Sequence, residues 1–527
     1  MKNILRMTLG LCLSTLLALS ATAHAPDTLV YSWSGNAGGD LNPHLYSPNQ
    51  MYAQNMIFES LVRYSSRGTI EPCLAESWDI SDDGLRYTFH LRKGVTFSDG
   101  SPWNSKAAKA NMDAVMENAK RHAWLGLVGQ IDSTEVSDEH TMVLVLKAPY
   151  AATLWDLSLI RPFRFLSPSA FGEDGGTAKG IKKPIGTGPW IHAEEKKGEY
   201  DLFVRNDGYW GPKPTIAKIL VKVIPESESR VVALETGEID LIFGASGQGA
   251  AQISIEAFRR LEAMGRYETG ISGPRATRLL AINSGCGVTA DLAVRKAILH
   301  AVDKDALVKG VFLGMEKRAD FLFSPQMPFC NLGLPPYEYD LDKANSLLDK
   351  AGWVRDGEYR AKDGKELRLD ICFIGTDTVQ KAIAEVLQSN LKRIGMKLDL
   401  TGVEKDAYYK RQKNGTFGLI FSDTWGAPYE PHAMVSSMRV PSHADYQAQS
   451  GLPMKKELDK KIAQVLIAVG DDRCQRLYRE ILTTLHDQAV YLPLSYRTLV
   501  KVHVNELQGV VFPAFITEVP FESMSWK

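Results

Sequence analysis

YTFHLRKGVTFSDG, residues Tyr87 to Gly100, alternates apolar and polar side chains from Tyr87 to Arg92 and then breaks at Lys93-Gly94. A period of two puts Tyr87, Phe89 and Leu91 on one face of a β-strand. Val95-Thr-Phe97 reads as a returning strand, so the stretch predicts a hairpin. Outward from it, strand-like and helix-like segments alternate. Residues 28–34 (TLVYSWS) and 218–224 (KILVKVI) read as strands. Asn104-Ser105 caps a helix whose apolar positions Ala107, Ala108, Met112, Val115 and Met116 recur at three and four residues. Further helices are predicted over 227–235 (ended by Gly237), 292–302, 340–350 (stopped at Gly352) and 381–394 (ended by Gly395). Strands follow at 397–400 and 416–421, and strand-like sequence returns at 491–504. No internal repeat or low-complexity linker interrupts this order, and the pattern predicts mixed α/β lobes.

The amino terminus indicates the compartment. Lys2 and Arg6 precede an apolar run from Met7 to Leu19, and Ser20-Ala-Thr-Ala23 supplies small residues for cleavage. This is a secretory signal peptide, with cleavage expected after Ala23 because Pro26 stands close behind Ala25. Its removal leaves 59 basic and 62 acidic side chains, a net charge of −3. That balance argues against nucleic acid as a partner. No other apolar stretch reaches the length of a membrane helix, so the mature chain is expected to be soluble and periplasmic. Its cysteines, Cys73, Cys286, Cys330, Cys372 and Cys474, are odd in number and far apart, with no C-x-x-C. That spacing argues against a disulfide scaffold or zinc ribbon, although one bridge remains open. The roughly 500 mature residues exceed what one hydrophobic core supports, so two or more lobes are expected.

Catalytic signatures are missing. No G-x-S-x-G, P-loop or G-x-G-x-x-G occurs. Ser389-Asn-Leu-Lys392 has the S-x-x-K form, but it lies inside a predicted helix and no K-T-G follows. An exported α/β chain without a catalytic kit reads as a receptor for a small ligand.

Several stretches carry a resemblance. CLAESW (73–78), YTFHLRKGVTFSDG (87–100), PIGTGPW (184–190), NDGYW (206–210), LETGEID (234–240), AVR (293–295) and ANSLLDKAGW (344–353) run through nearly the whole mature chain. Together they resemble the peptide- and nickel-binding receptors of ABC importers, the family 5 solute-binding proteins. LNPHLYSPNQM (41–51), RHAW (121–124), RPFRF (161–165), TWGAPY (424–429), Pro431-His432 and MRVPSHADYQ (438–447) are similar to the nickel-binding branch of that family. The resemblance implies a two-lobed periplasmic binding protein fold with a ligand cleft between the lobes. Its first lobe would be discontinuous, 24–272 plus 497–527, and its second would be 273–496. The implied ligand is Ni²⁺ held by a small organic chelator, passed to membrane permease and ATPase subunits by a monomeric receptor with no catalytic cofactor. The implied contacts are Tyr46, Met51, Arg121, Trp124, Arg161, Trp425, Tyr429 and Thr517, with His443 as the metal ligand.

The chemistry of these side chains is consistent with that role. Ni²⁺ takes several nitrogen and oxygen ligands. The chain offers one suitable loop imidazole, His443, and no neighbouring cysteine pair or carboxylate cluster, so the metal is expected to arrive chelated. Read alone, His443 is a solvated loop residue; Pro441 restricts the turn that presents it. A carboxylate-bearing chelator suits the planar fork of Arg161 and the second charge of Arg121, although Arg161 read alone is a structural ion-pair residue. Arg164, between Phe163 and Phe165, is expected to be structural. Trp124, Trp425 and Tyr429 would wall the ligand, and Met51 would pack against it, because a thioether is a poor Ni²⁺ ligand. His432 is expected to cap or pack, and His44, His90, His122 and His300 to be structural. His24, at the mature terminus, is a small chelating unit or a solvated end. Two alternatives stay open: a dipeptide, oligopeptide, haem or other metal-chelate receptor of the same family, and, remotely, a secreted hydrolase.

Overall fold

The structure, a computed structural model, describes residues 27–37, 41–45, 51–65, 68–245, 252–468 and 470–527. The signal peptide, His24 and Tyr46 lie outside the described residues. Among those described, no helix is long and apolar enough to cross a membrane.

Two large sheets organise the chain into two lobes. The first has seven strands in the order Glu268–Ile271, Leu499–His503, Leu241–Ala245, Thr28–Trp33, Lys218–Val223, Tyr200–Arg205 and Trp190–Lys196. The second has six: Lys317–Arg318, Tyr491–Arg497, Ala276–Ile282, Leu419–Phe421, Arg368–Ile374 and Lys397–Val403. Ala276–Ile282 is buried at every position, as a strand covered on both faces must be. Helices cover the sheets where the sequence supplies caps. Asn104 accepts the Ala107 amide at 3.0 Å to start Ser105–Glu117, and Asp291 accepts that of Ala293 at 2.8 Å to start Leu292–Ala301. The helix expected over 381–394 begins earlier, at Thr378–Arg393, because Asp377 takes the amides of both Val379 and Gln380.

The opening stretch departs from its expectation. Arg86–Leu91 is a strand with Tyr87, Phe89 and Leu91 buried, but its partners are Ala75–Ile80 and Thr141–Leu146 rather than 95–97. Together with Ile131–Asp138 these form a four-stranded antiparallel sheet. Gly94 does turn, at φ 72°, but Thr96 makes only an isolated bridge to Pro102. Val95 and Phe97 are both buried, and their backbone groups pair with Trp103 and Ser101. A local loop therefore captures the hydrogen bonds a hairpin would have used.

Residues 491–504 also divide. Tyr491–Arg497 belongs to the six-stranded sheet and Leu499–His503 to the seven-stranded one. The chain thus passes between the sheets twice, at 272–275 and at Thr498, and the seven-stranded sheet draws its strands from two separated stretches. The two passages are laced together. The Ser272 amide donates to Leu499 O and the Leu499 amide to Ser272 Oγ, both at 2.9 Å; the Arg275 amide donates to Arg497 O at 2.8 Å. The lobes also touch away from these passages. The Ala151 amide donates to Leu466 O at 3.2 Å, and one buried apolar cluster runs from the four-stranded sheet to helices His432–Ser437, Lys455–Leu466 and Asp471–Asp487. All five described cysteines are without disulfide bonds.

Candidate ligand site between the lobes

Where the lobes meet, side chains from two distant parts of the sequence converge. On one side stand Trp124, just after the short 3₁₀ turn Ala119–His122, and Arg161, after helix Thr153–Leu157. On the other stand Trp425 and Tyr429, in the loop leaving strand Leu419–Phe421, and His443, at the start of helix Ala444–Gln449. The Trp124 and Trp425 rings meet edge-to-face at 5.8 Å; Tyr429 lies 6.4 Å from Trp124 and 5.9 Å from Trp425. His443 packs edge-on against Trp425 at 6.1 Å. The Arg161 guanidinium sits over the Trp124 ring, 4.6 Å from its centroid, so the ring's negative face holds the cation.

The 424–430 loop is built to hold its aromatics. The Thr277 amide donates to Thr424 Oγ1 at 2.7 Å, and the Thr424 amide donates to Thr277 O at 2.8 Å, which zips the loop to the sheet. The Gly426 amide donates to buried Glu430 Oε1 at 2.6 Å, and the Tyr429 amide donates to Gly426 O at 2.9 Å. Gly426 has φ 74°, and a β-carbon there would stand 2.4 Å from Arg275 O, so no other residue fits. Burial lifts the Glu430 carboxyl to about 7, against opposing hydrogen bonds from Thr424 and Gly426. Just ahead of the loop, Asp423 lies 3.4 Å from Arg497 and 3.8 Å from Arg278. Arg278 in turn grips Glu316 with two contacts, at 2.7 and 3.1 Å, in the middle of the sheet.

Burial favours the neutral forms of the site's imidazole and phenol. Burial holds the His443 imidazole below its ordinary value, so its lone pair is available at neutral pH. The ring makes no hydrogen bond to another described residue. Its turn is fixed from outside: Gln412 Nε2 donates to Ser442 O at 3.1 Å and Gln447 Nε2 to Pro441 O at 2.8 Å. Burial raises the Tyr429 hydroxyl, and the Arg161 charge pulls it partly back. The buried Trp124 indole N–H finds no acceptor among the described residues. No group of three or more His, Cys, Asp or Glu side chains able to hold a metal assembles among the described residues.

The structure therefore brings Trp124, Arg161, Trp425, Tyr429 and His443 together. Met51 is buried at the start of helix Met51–Ile57, in the same apolar cluster as Tyr429, and Trp124 and Trp425 pack against that cluster. Thr517 is half-buried in a turn of the carboxy-terminal segment; Asn55 Nδ2 donates to the adjoining Glu518 at 3.0 Å, tying that turn to the Met51 helix. Arg121 is exposed and, with Arg161, acts on His122, which burial above all brings to about 4.

The residues expected to be structural have structural partners. Arg164 is buried, its Nε donating to Leu159 O and its Nη1 to Phe58 O, each at 3.0 Å. His432 Nδ1 pairs with the Tyr478 hydroxyl at 2.7 Å. His44 pairs with Thr177 and Arg164 O, His122 with His44 O, His300 with Glu338 O and His90 with Asp79. Ser389 lies exposed on helix Thr378–Arg393. Sequence reasoning missed Asp423 and Glu430, the acids that brace the aromatic loop. It also missed buried Glu59, which accepts from Thr187, Tyr209 and Trp210 at 2.7–3.0 Å. None of the three stands in a motif that marks it.

The middle-region profile of the bacterial extracellular solute-binding proteins, family 5, matches residues 69–446. Over 518 residues the chain is 46% identical to the nickel-binding periplasmic protein of Escherichia coli strain K12, covering 97% of this chain and 98% of that one. The dipeptide-binding protein of the same strain is 25% identical over 533 residues, 95% of each chain. The crystal structure of NikA from Brucella suis in complex with Fe(III)-EDTA matches with a TM-score of 0.92 at 52% identity, across 95% of this chain and all of that one. These relatives are solute-binding proteins of two-lobed α/β architecture. The chain belongs to the bacterial extracellular solute-binding proteins, family 5.

Proposed function

We propose that the chain is the periplasmic receptor of a nickel ABC importer, capturing Ni²⁺ as a complex with a small carboxylate- or histidine-type chelator. One observation carries the reading: a cation on an indole, Arg161 on Trp124, faces Trp425, Tyr429 and an imidazole with an available lone pair. Arg161 and Arg121 pair with the chelator's carboxylates, the aromatic rings wall it, and His443 takes a coordination position the chelator leaves open. Met51 and Thr517 complete the lining. The Trp124 N–H supplies a donor for a ligand oxygen. The 46% identity to a nickel-binding periplasmic protein and the 52% identity to a protein crystallised with a metal chelate support the same reading.

The lobes divide at 272/273 and 496/497 in this proposal, close to where the strands change sheets. The mature chain begins after Ala23, acts as a monomer, and delivers its cargo to permease and ATPase subunits. A peptide receptor of the same fold needs an acid facing the cleft for the α-amino group. Glu430, the acid nearest the aromatic rings in sequence, is instead turned into its own loop by the Gly426 amide. Elemental analysis and mass spectrometry of protein purified without stripping test the proposal. Nickel with a small chelator is the expected result, and a mixture of peptides without metal would overturn it.

A further inference from the structure

Away from the inter-lobe site, the second lobe holds a cavity of about 180 Å³, partly open to the surface beside Asn331 and Gly333. Its roof is the stretch 319–340, which runs without helix or strand over helix Asp471–Asp487 and strand Tyr491–Arg497. The roof is pinned along its length. The Ala319 amide donates to Leu494 O at 3.1 Å, Gln475 Nε2 to Phe329 O at 3.2 Å and Arg479 Nη1 to Leu332 O at 3.0 Å, and His486 Nε2 pairs with Pro335 O at 3.0 Å. The space beneath is walled by Leu299, Phe323, Leu332, Leu334, Leu482 and Leu485.

Of the polar side chains on the wall, all but the exposed Asn331 at the roof are already engaged with the protein. Lys304 Nζ donates to Ala319 O at 3.1 Å and to Asp320 at 3.0 Å, and the Tyr337 hydroxyl donates to His486 O at 3.1 Å. The Tyr491 hydroxyl accepts from Gln449 Nε2 at 2.9 Å, and Cys330 Sγ donates to Pro328 O at 3.3 Å. A polar or charged guest would bury groups with few partners left to pair with them, which is unfavourable. Water would meet the same shortage of partners, whereas apolar cavities of about 150 Å³ stay dry and take benzene or xenon.

We infer that this cavity is a second binding site, for an uncharged apolar molecule about the size of one aromatic ring, separate from the inter-lobe site. Such a guest touches both the roof and the helix under it. Crystals of the mature protein pressurised with xenon, and calorimetric titration of the same protein with toluene, test this. A xenon peak bounded by Leu332, Leu482 and Leu485 is expected, with a saturable toluene heat that persists when nickel–EDTA is bound. Leu332→Phe on the roof, and separately Leu482→Phe on the helix, fill the space; each is expected to abolish the toluene heat and leave nickel–EDTA binding intact. Ordered water in place of xenon, displacement of toluene by nickel–EDTA, or an unchanged toluene heat in either folded variant overturns the assignment.

Discussion

Replacing Arg161 by alanine separates a ligand-binding arginine from its structural neighbour three residues on. Arg161 is half-buried and rests on the Trp124 ring at 4.6 Å, whereas Arg164 is buried and donates to two main-chain carbonyls. If Arg161 pairs with a chelator carboxylate, its loss removes a charge-assisted hydrogen bond worth about 1.5–3 kcal/mol. At about 1.4 kcal/mol per tenfold, Kd for nickel–EDTA rises by about one to two decades. The lost cation–π contact, about 0.5–2 kcal/mol, loosens Trp124 as well. Arg161→Lys keeps the charge but not the planar fork, so its affinity falls between the two. Arg164→Ala strands Phe58 O and Leu159 O, so its effect is on the fold: Tm drops, and affinity measured below the transition changes little. Calorimetry of nickel–EDTA binding, paired with thermal melts of both variants, reads the two effects separately. Wild-type affinity in Arg161→Ala beside weakened binding in a folded Arg164→Ala would refute the assignment.

His443→Ala is expected to weaken binding of nickel nitrilotriacetate, which leaves coordination positions open, and to spare nickel–EDTA; equal heats for the two chelates in calorimetry would make His443 a packing residue. Because protonation removes the imidazole lone pair, wild-type affinity for the open chelate falls as pH drops through a pKa held by burial below 6.5, and titrations across that range should show the fall disappear in His443→Ala. Gly426→Ala forces a β-carbon against Arg275 O and a side-chain-bearing residue into positive φ; Tm and chelate affinity both fall, at a cost of about 1–3 kcal/mol. Glu430 has its carboxyl raised from 4.5 to about 7 by burial, so ionising it costs stability as pH climbs across that window. Glu430→Gln keeps an acceptor for the Gly426 amide and gains on wild type over the same window, with no gain below it, which melts as a function of pH will show. Deleting 497–527 removes a strand from inside the seven-stranded sheet, and the truncated chain should lose cooperative unfolding of the first lobe; retention of wild-type melts and binding would contradict the lobe division.

Local structure was legible wherever the physics is local. The alternation in 87–92, the Asn104 cap and the glycines after 235 and 350 all mark features that the structure contains. Partner choice was not, because the strand at 86–91 looks the same whether it pairs with 95–97 or with 75–80 and 141–146. The change of sheet inside 491–504 was hidden for the same reason: Thr498 interrupts nothing in the alternation. Of the site, Trp124, Arg161, Trp425, Tyr429 and His443 came from resemblance, since each alone reads as core or surface. The bracing acids stayed hidden because Asp423 and Glu430 owe their roles to Arg497, Arg278 and a folded loop that spacing does not reveal.

The strand Glu268–Ile271 lies at the edge of its sheet, and its partner there is Leu499–His503, roughly 230 residues later in the chain. Leu241–Ala245 and Glu268–Ile271 both stand in the chain well ahead of the strand that fits between them. A sheet completed by so late a segment keeps two strand edges unpaired until that segment docks.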